Sequence, residues 1–347
     1  MGTRAREIRL KSRPVGLPQA DNFDLVETEL RDPGEGEALV RNLWMSVDPY
    51  MRGRMYDTPS YVPPFELGQA LQGGAIGRVE ISNDPSLEPG DLVESMFGWR
   101  DLYVAGAGNL QKLPAEDIAP ELYLGVLGMP GLTAYGGFHR LGEPKPGNTV
   151  FVSGAAGAVG SVLCQIAKIR DCTVVASAGT DEKIAWLKSL GVDAAVNYKT
   201  CGNLLEAVRA AAPKGIDIYF DNVGGDHLEV AMEVARPFAR FVECGMISVY
   251  NNTEPKPGPR NMQYIVGKRL RLQGFIVFDF FDMRDQFRTD MTQWVKEGRI
   301  QSEETVENGI ENAPAAFLKL FSGANTARCW SNSPKEARLW PGCFKPM

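Results

Sequence analysis

Two rhythms of apolar and polar positions divide the chain. Over the first 125 residues, short β-type runs such as Glu37-Ala-Leu-Val-Arg-Asn-Leu and Ala75-Ile-Gly-Arg-Val-Glu-Ile alternate with the turn signals Asp32-Pro-Gly, Glu88-Pro-Gly-Asp and Leu113-Pro. Such punctuation predicts an irregular, mostly β domain. From Thr149 the spacing changes. Apolar runs at 149–153, 173–177, 194–197, 217–221, 241–245 and 270–278 are separated by helical patterns, notably 159–169, 181–190 and 201–212. This alternation predicts a parallel sheet with right-handed crossovers and helices on both faces. Six strands match a complete doubly wound dinucleotide-binding unit. Residues 285–297 and 314–320 read as further amphipathic helices.

Length and composition narrow the class. At 347 residues the chain suits two domains, and 44% hydrophobic with 23% charged residues argues against long disorder. A net charge of −6 gives no basic footprint for nucleic acid. The cations Arg4, Arg6, Arg9, Lys11 and Arg13 are not followed by an apolar core, so they do not make a signal peptide. Arg6 also stands where a myristoylation site wants Ser or Thr. No apolar run reaches membrane-spanning length, and a cytoplasmic protein is expected. The six cysteines, at 164, 172, 201, 244, 329 and 343, contain no Cys-x-x-Cys pair, and the only histidines are His139 and His227. That fits a reducing compartment and gives a metal site no ligand set; both histidines read as structural.

The segment Val150-Phe-Val-Ser-Gly-Ala-Ala-Gly-Ala-Val-Gly-Ser puts Gly154, Gly157 and Gly160 in GxxGxxG spacing between a buried run and a helical one. Small residues there let a backbone approach a pyrophosphate, and the helix N-terminus supplies free N–H groups and positive potential. The same glycines also suit close helix–strand packing; their place at the first strand–helix junction favours dinucleotide binding. NAD enzymes carry an acid at the end of the second strand to hold the ribose 2′-hydroxyl. Here Thr173-Val-Val-Ala runs into Ser177-Ala-Gly-Thr with no acid. Lys183, one turn into the next helix, is either a solvated lysine or the partner of a 2′-phosphate, and NADP is favoured over NAD.

Several dispersed stretches carry a resemblance. They are Val47-Asp-Pro-Tyr-Met-Arg-Gly-Arg-Met, Leu127-Gly-Met-Pro-Gly-Leu-Thr-Ala-Tyr, Ala178-Gly-Thr-Asp-Glu-Lys, Asn197-Tyr-Lys, Tyr219-Phe-Asp-Asn-Val-Gly-Gly, Cys244-Gly-Met-Ile-Ser and Leu272-Gln-Gly-Phe. With the glycine turn, they resemble the zinc-independent, NADPH-dependent double-bond reductases of the medium-chain dehydrogenase/reductase superfamily: prostaglandin, alkenal and curcumin reductases. The likeness runs from about Ile8 to Thr326. Asp-Pro-Tyr-Met-Arg is particular to this group, whereas the glycine motif is widely shared.

The resemblance implies an α/β protein: a GroES-like, mostly-β catalytic domain at 1–125, a Rossmann NADP-binding domain at 126–297, and a return to the catalytic domain at 298–326. It implies a homodimer, with neither nucleic acid nor membrane as partner. It implies NADPH, with the pyrophosphate on Gly157, Ala158, Val159 and Gly160 and the 2′-phosphate at Lys183 and Tyr198. Asn222, the loop residues Cys244, Gly245, Met246, Ile247, Ser248 and Tyr250, and a strand of Phe275, Ile276 and Val277 would line the path from adenosine to nicotinamide, with Asn325 closing over it. Zinc alcohol dehydrogenases of the same superfamily use a Cys/His site and a four-Cys lobe whose ligands are missing here.

The implied substrate is a hydrophobic enone or enal. Hydride reaches its β-carbon, charge collects on the carbonyl oxygen as an enolate that positioned donors must stabilise, and the α-carbon is then protonated. Tyr50, beside nicotinamide and substrate, and Tyr250 are the candidate catalytic donors; a wall role for Tyr50 and a packing role for Tyr250 stay open. A quinone reductase, or a crystallin-like cofactor-binding protein without turnover, shares the fold and remains an alternative.

Beyond Thr326 the likeness stops. One permitted coding of Ala327-Arg-Cys-Trp-Ser-Asn-Ser, read with a single extra G in front, encodes Gly-Lys-Met-Leu-Val-Lys-Leu, the ending that the resemblance leads one to expect. Residues 327–347 are therefore expected to be an aberrant, frameshifted and poorly ordered tail in place of a strand of the first domain.

Overall fold

The computed structural model describes residues 3–114 and 117–323, and residues 328–331 as a strand. The chain forms two compact units, one from the residues up to Leu124 together with the chain from Glu304, the other from Gly125–Glu303.

In the first unit, Thr3–Leu10 and Phe23–Leu30 pair antiparallel. A larger sheet runs in the order Thr305–Asn308, Arg328–Ser331, Glu37–Met45, Ala75–Ser82, Leu92–Ser95, Gln111–Lys112, with Leu102–Gly106 also paired to Glu37–Met45. Phe23, Trp99 and Phe317 gather at centroid separations of 6.1 to 6.3 Å, in one core with the buried Met45, Met51 and Met55. That core seats the short helix Met51–Arg54.

Within the tail, Arg328–Ser331 pairs parallel with Thr305–Asn308 and antiparallel with Trp44 and Met45. A ladder is made by backbone groups, and these four residues include no proline; Pro334 and Pro341 come later. The remainder of 327–347, and Asn325, lie outside the described residues.

In the second unit six strands, β1 (Thr149–Val152), β2 (Thr173–Ala178), β3 (Ala194–Asn197), β4 (Ile216–Asp221), β5 (Ala235–Glu243) and β6 (Arg271–Gly274), run parallel in the order β3-β2-β1-β4-β5-β6. Helices α1 (Ala158–Ile169), α2 (Asp181–Ser189), α3 (Leu204–Ala211) and α4 (Asp226–Val234) connect the first five. The order reverses between β1 and β4, and in this architecture the ligand crevice lies outside the carboxyl ends at that point.

One sequence expectation fails here. Residues 275–277 do not continue β6. Ile276 N donates to Asp279 Oδ2 at 2.9 Å, and a 3₁₀ helix, Val277–Met283, begins. The reversal packs the ring of Phe280, 1% exposed, 5.1 Å from that of Phe275. No helix among the described residues is long and apolar enough to cross a membrane.

Candidate functional site

Three glycines shape the turn between β1 and α1, each for its own reason. Gly154 sits at φ +57°, a left-handed conformation that costs glycine little. Gly157 is the N-cap of α1 and brings no side-chain cap to the N–H groups of Ala158, Val159 and Gly160 that open the helix. At Gly160 a Cβ would stand 2.6 Å from Gly154 O and 2.7 Å from Ala155 Cα, so only glycine lets α1 close this tightly on the turn. The result is a helix start with partial positive charge behind a turn of little side-chain bulk, a cradle for an anion.

The turn is braced from β4. Ser153 Oγ donates to Asp221 Oδ1 at 2.8 Å, and that oxygen also accepts from Val223 N and Gly224 N at 2.8 Å. Asn222 N donates to Ser153 Oγ (2.9 Å), and Asn222 Nδ2 to Ser153 O (2.8 Å). The carboxyl ends of β1 and β4 thus form one hydrogen-bonded body, with Asn222 at the crevice.

At the end of β2, Thr180 caps α2 by accepting Lys183 N at 3.3 Å, which fixes Lys183 in the first turn. Tyr198 N donates to Ala178 O at 3.1 Å. A Cβ on Gly179 would stand 2.9 Å from Tyr198 Oη and 3.1 Å from Lys199 Cε. Gly179 therefore makes room for Tyr198 and Lys199 over the strand end. Asp181, the nearest acid in sequence, accepts from Asn197 Nδ2 at 2.7 Å. Lys199 was missed in the sequence, although it directly follows Tyr198 in Asn-Tyr-Lys.

After β5, Cys244 N and Gly245 N donate to Asp221 O at 2.9 and 3.0 Å. Ile247 N reaches Asn222 O (3.4 Å), Ser248 N reaches Val223 O (3.1 Å), and Ser248 Oγ donates to Val223 O (2.6 Å). The loop is thereby laid along the exit from β4. Tyr250 Oη accepts from Met246 N at 3.2 Å, which makes the hydroxyl a lock on its own loop. Phe275 is turned to the core: its ring lies 6.1 Å from that of Phe220, and a Cβ on Gly137 would stand 2.9 Å from its Cζ. Ile276 and Val277 are half-buried beside it.

Glu243 was also missed. It pairs in register with Asp221, and both its carboxylate oxygens, like Asp221 Oδ2, are buried without a donor among the described residues. Burial, then the charge of Asp221, push its pKa up to about 8. Near neutrality a proton held on Glu243 supplies the missing donor between the two carboxyls.

In the first unit, Tyr50 follows Pro49 as the N-cap of Met51–Arg54 and packs against the methionine and aromatic core. Ser46 Oγ donates to Asp48 just before it. Arg52, fully buried, donates through Nη2 to Gly16 O at 2.9 Å and lies 4.0 Å over the Tyr56 ring. Burial raises the Tyr50 pKa, Asp48 raises it further, and Arg54 opposes both. The phenol stays protonated near neutrality and can donate a hydrogen bond.

The donor set does not fit a zinc centre. Among the described residues no group of three or more His, Cys, Asp or Glu is arranged around a common point. Cys164 is buried within α1, its thiol pushed up to about 12 by burial. His139 Nδ1 lies 2.9 Å from Tyr135 O, and the His227 ring packs 5.0 Å from that of Tyr198.

Residues 6–113 match the model of the N-terminal domain of oxidoreductases, and residues 158–297 match that of zinc-binding dehydrogenases. The chain is 43% identical to prostaglandin reductase 1 of Bos taurus, over 93% of this chain and 98% of that protein. It is 42% identical to the NADPH-dependent curcumin reductase of Escherichia coli (strain K12), over 93% and 95%. The solved structure of CurA from Vibrio vulnificus in complex with NADPH superposes with a TM-score of 0.90 at 40% identity, covering 95% of this chain and all of that one. The chain belongs to the double-bond reductase group of the medium-chain dehydrogenase/reductase superfamily.

Proposed function

We propose that this protein reduces the carbon–carbon double bond of α,β-unsaturated ketones and aldehydes with NADPH and without a metal. The end of β2 carries the reading. There Lys183, Tyr198 and Lys199 take the place of the acid that would hold an unphosphorylated ribose. These three residues would hold the 2′-phosphate, and Gly157, Ala158, Val159 and Gly160 the pyrophosphate. Asn222 and the loop Cys244, Gly245, Met246, Ile247, Ser248 and Tyr250 would line the crevice beyond. Bound NADPH supplies a hydride to the β-carbon of the substrate. The protein's own task is the charge that gathers on the carbonyl oxygen, which needs a positioned donor that does not itself ionise. Tyr50 meets that requirement through its raised pKa. Tyr250, whose oxygen accepts from Met246 N, is the second candidate. A cytosolic homodimer, implied by the family, completes the proposal; sedimentation velocity measures its mass.

The test is NADPH consumption with enals, enones and quinones, the products identified by mass. A higher kcat/KM for enones with a saturated-ketone product is expected. A preference for quinones would make the protein a quinone reductase, and binding of NADPH without turnover would make it a cofactor-binding protein.

A further inference from the structure

At the amino ends of β1, β5 and β6, the pole of that sheet opposite the glycine turn, lies a cavity of about 440 Å³. Its lining includes the cations Lys145, Arg240, Arg269 and Arg271, one acid, Glu143, and Phe238. A chain of net charge −6 has thus concentrated positive charge in one concavity, where low-dielectric walls focus the field.

Three of these residues are held in the left-handed region: Glu143 at φ +46°, Phe238 at +65° and Arg269 at +52°. A bulky side chain there is an outlier, and such strain clusters at ligand sites. The register shows how Phe238 arrives there. Ile216 pairs with Ala235 and Ile218 with Arg240, so residues 236–239 bulge from β5. Phe238 is left 66% exposed, with the Arg269 guanidinium 4.5 Å over its ring.

The cations are partly fixed and partly uncommitted. Arg240 donates through Nη1 to Glu143 O (2.7 Å) and through Nη2 to Asn148 Oδ1 (3.1 Å), while its Nε–H is buried without an acceptor. Arg271 donates to Leu141 O at 2.6 Å and pairs with Glu143 Oε1 at 2.9 Å. Glu143 is thereby engaged, and among the described residues neither Lys145 Nζ nor the Arg269 guanidinium has a carboxylate partner. A neighbouring cavity of about 650 Å³ shares Glu143 and Lys145 and continues past His139 and Arg170.

We propose that this pocket is a second anion site that binds a phosphate or pyrophosphate ester. Arg240 and Arg271 form its pre-positioned wall, and Lys145 and Arg269 supply the unneutralised charge, since compact multiply charged oxyanions draw both forked guanidinium groups and point-charge ammonium groups. The adjoining cavity accommodates the organic part of the ester.

Inorganic pyrophosphate is the probe, titrated calorimetrically into NADPH-saturated protein, with sodium chloride at matched ionic strength as the control. Cofactor then occupies the α1 terminus, and remaining heat reports another site. One saturable event per chain is expected. It should weaken on the order of tenfold or more in Lys145→Gln/Arg269→Gln, both exposed positions, while the NADPH affinity stays unchanged. Lys188→Gln, an exposed change on α2, should leave pyrophosphate binding as it was. No saturable binding beyond the chloride control, or equal affinity in the double variant and the parent, overturns the proposal.

Discussion

At the residue scale, cofactor choice rests on the few side chains at the end of β2. A charge-assisted contact to a 2′-phosphate contributes about 1.5–3 kcal/mol, or roughly ten- to a hundredfold in affinity. Lys183→Ala should therefore weaken NADPH by that order and leave NADH nearly unchanged, measured as dissociation constants by fluorescence titration. Equal losses for both cofactors would remove Lys183 from the phosphate. Lys199 approaches the same strand end, so a double substitution should weaken NADPH further than either single one. Lys183 could be singled out in the sequence because helix spacing puts it one turn after a strand. Lys199 could not, because its position depends on β3 lying beside β2, a contact that local pattern does not encode. Glu243 lay in plain view as a charge within an apolar strand, but its partner Asp221 follows only from the register of β4 with β5.

At the element scale, the β1–α1 turn was legible because its reasons are local: a left-handed glycine, an uncapped helix start and a crossing too close for a Cβ. Gly160→Ala tests the last of these. Its Cβ would meet backbone at 2.6 Å, so α1 has to move. Overpacking of this kind costs about 1–3 kcal/mol. A melting temperature lower by several degrees is expected, together with NADPH affinity reduced on the order of tenfold. Gly157→Ala, whose Cβ would meet Gly154 O at 3.3 Å with φ at −83°, should be milder on both measures. Indistinguishable variants would show that close approach is not what Gly160 provides. Residues 275–277 were read as strand because an apolar run looks the same extended or turned; the Asp279 carboxylate that caps Ile276 decided it. Helix α4 begins at Gly225, its N-cap.

At the scale of the whole molecule, Glu243 ties stability to pH. Its pKa rises on folding from an ordinary 4.5 to about 8, so between these values the folded chain binds more protons than the unfolded one. The stabilisation is present in full below the lower value and is lost as pH rises through the upper, at up to about 1.4 kcal/mol per pH unit. Tyr219 and Cys244, pushed up by burial and then by the charge of Asp221, and His227, lowered by burial against that charge, lie in the field of the pair. Melting curves should show the wild type losing stability from about pH 5 to 8, and Glu243→Gln, which keeps a donor and cannot ionise, losing distinctly less. Parallel curves would locate the sensitivity elsewhere. The two-unit plan was legible from the change of rhythm at Thr149, but the sheet of the first unit was not. Its Glu37–Met45 strand has Arg328–Ser331 as a neighbour, from the far end of the chain. That ordering has a consequence for biosynthesis. The second unit is one continuous stretch and can fold as soon as it clears the ribosome. The first must wait, with Trp44 and Met45 of that strand still lacking the partner Arg328–Ser331, while Gly125–Glu303 is translated. At about 5–20 residues per second that wait lasts on the order of ten to forty seconds, long enough for a chaperone that shields strand edges to determine the yield of native protein.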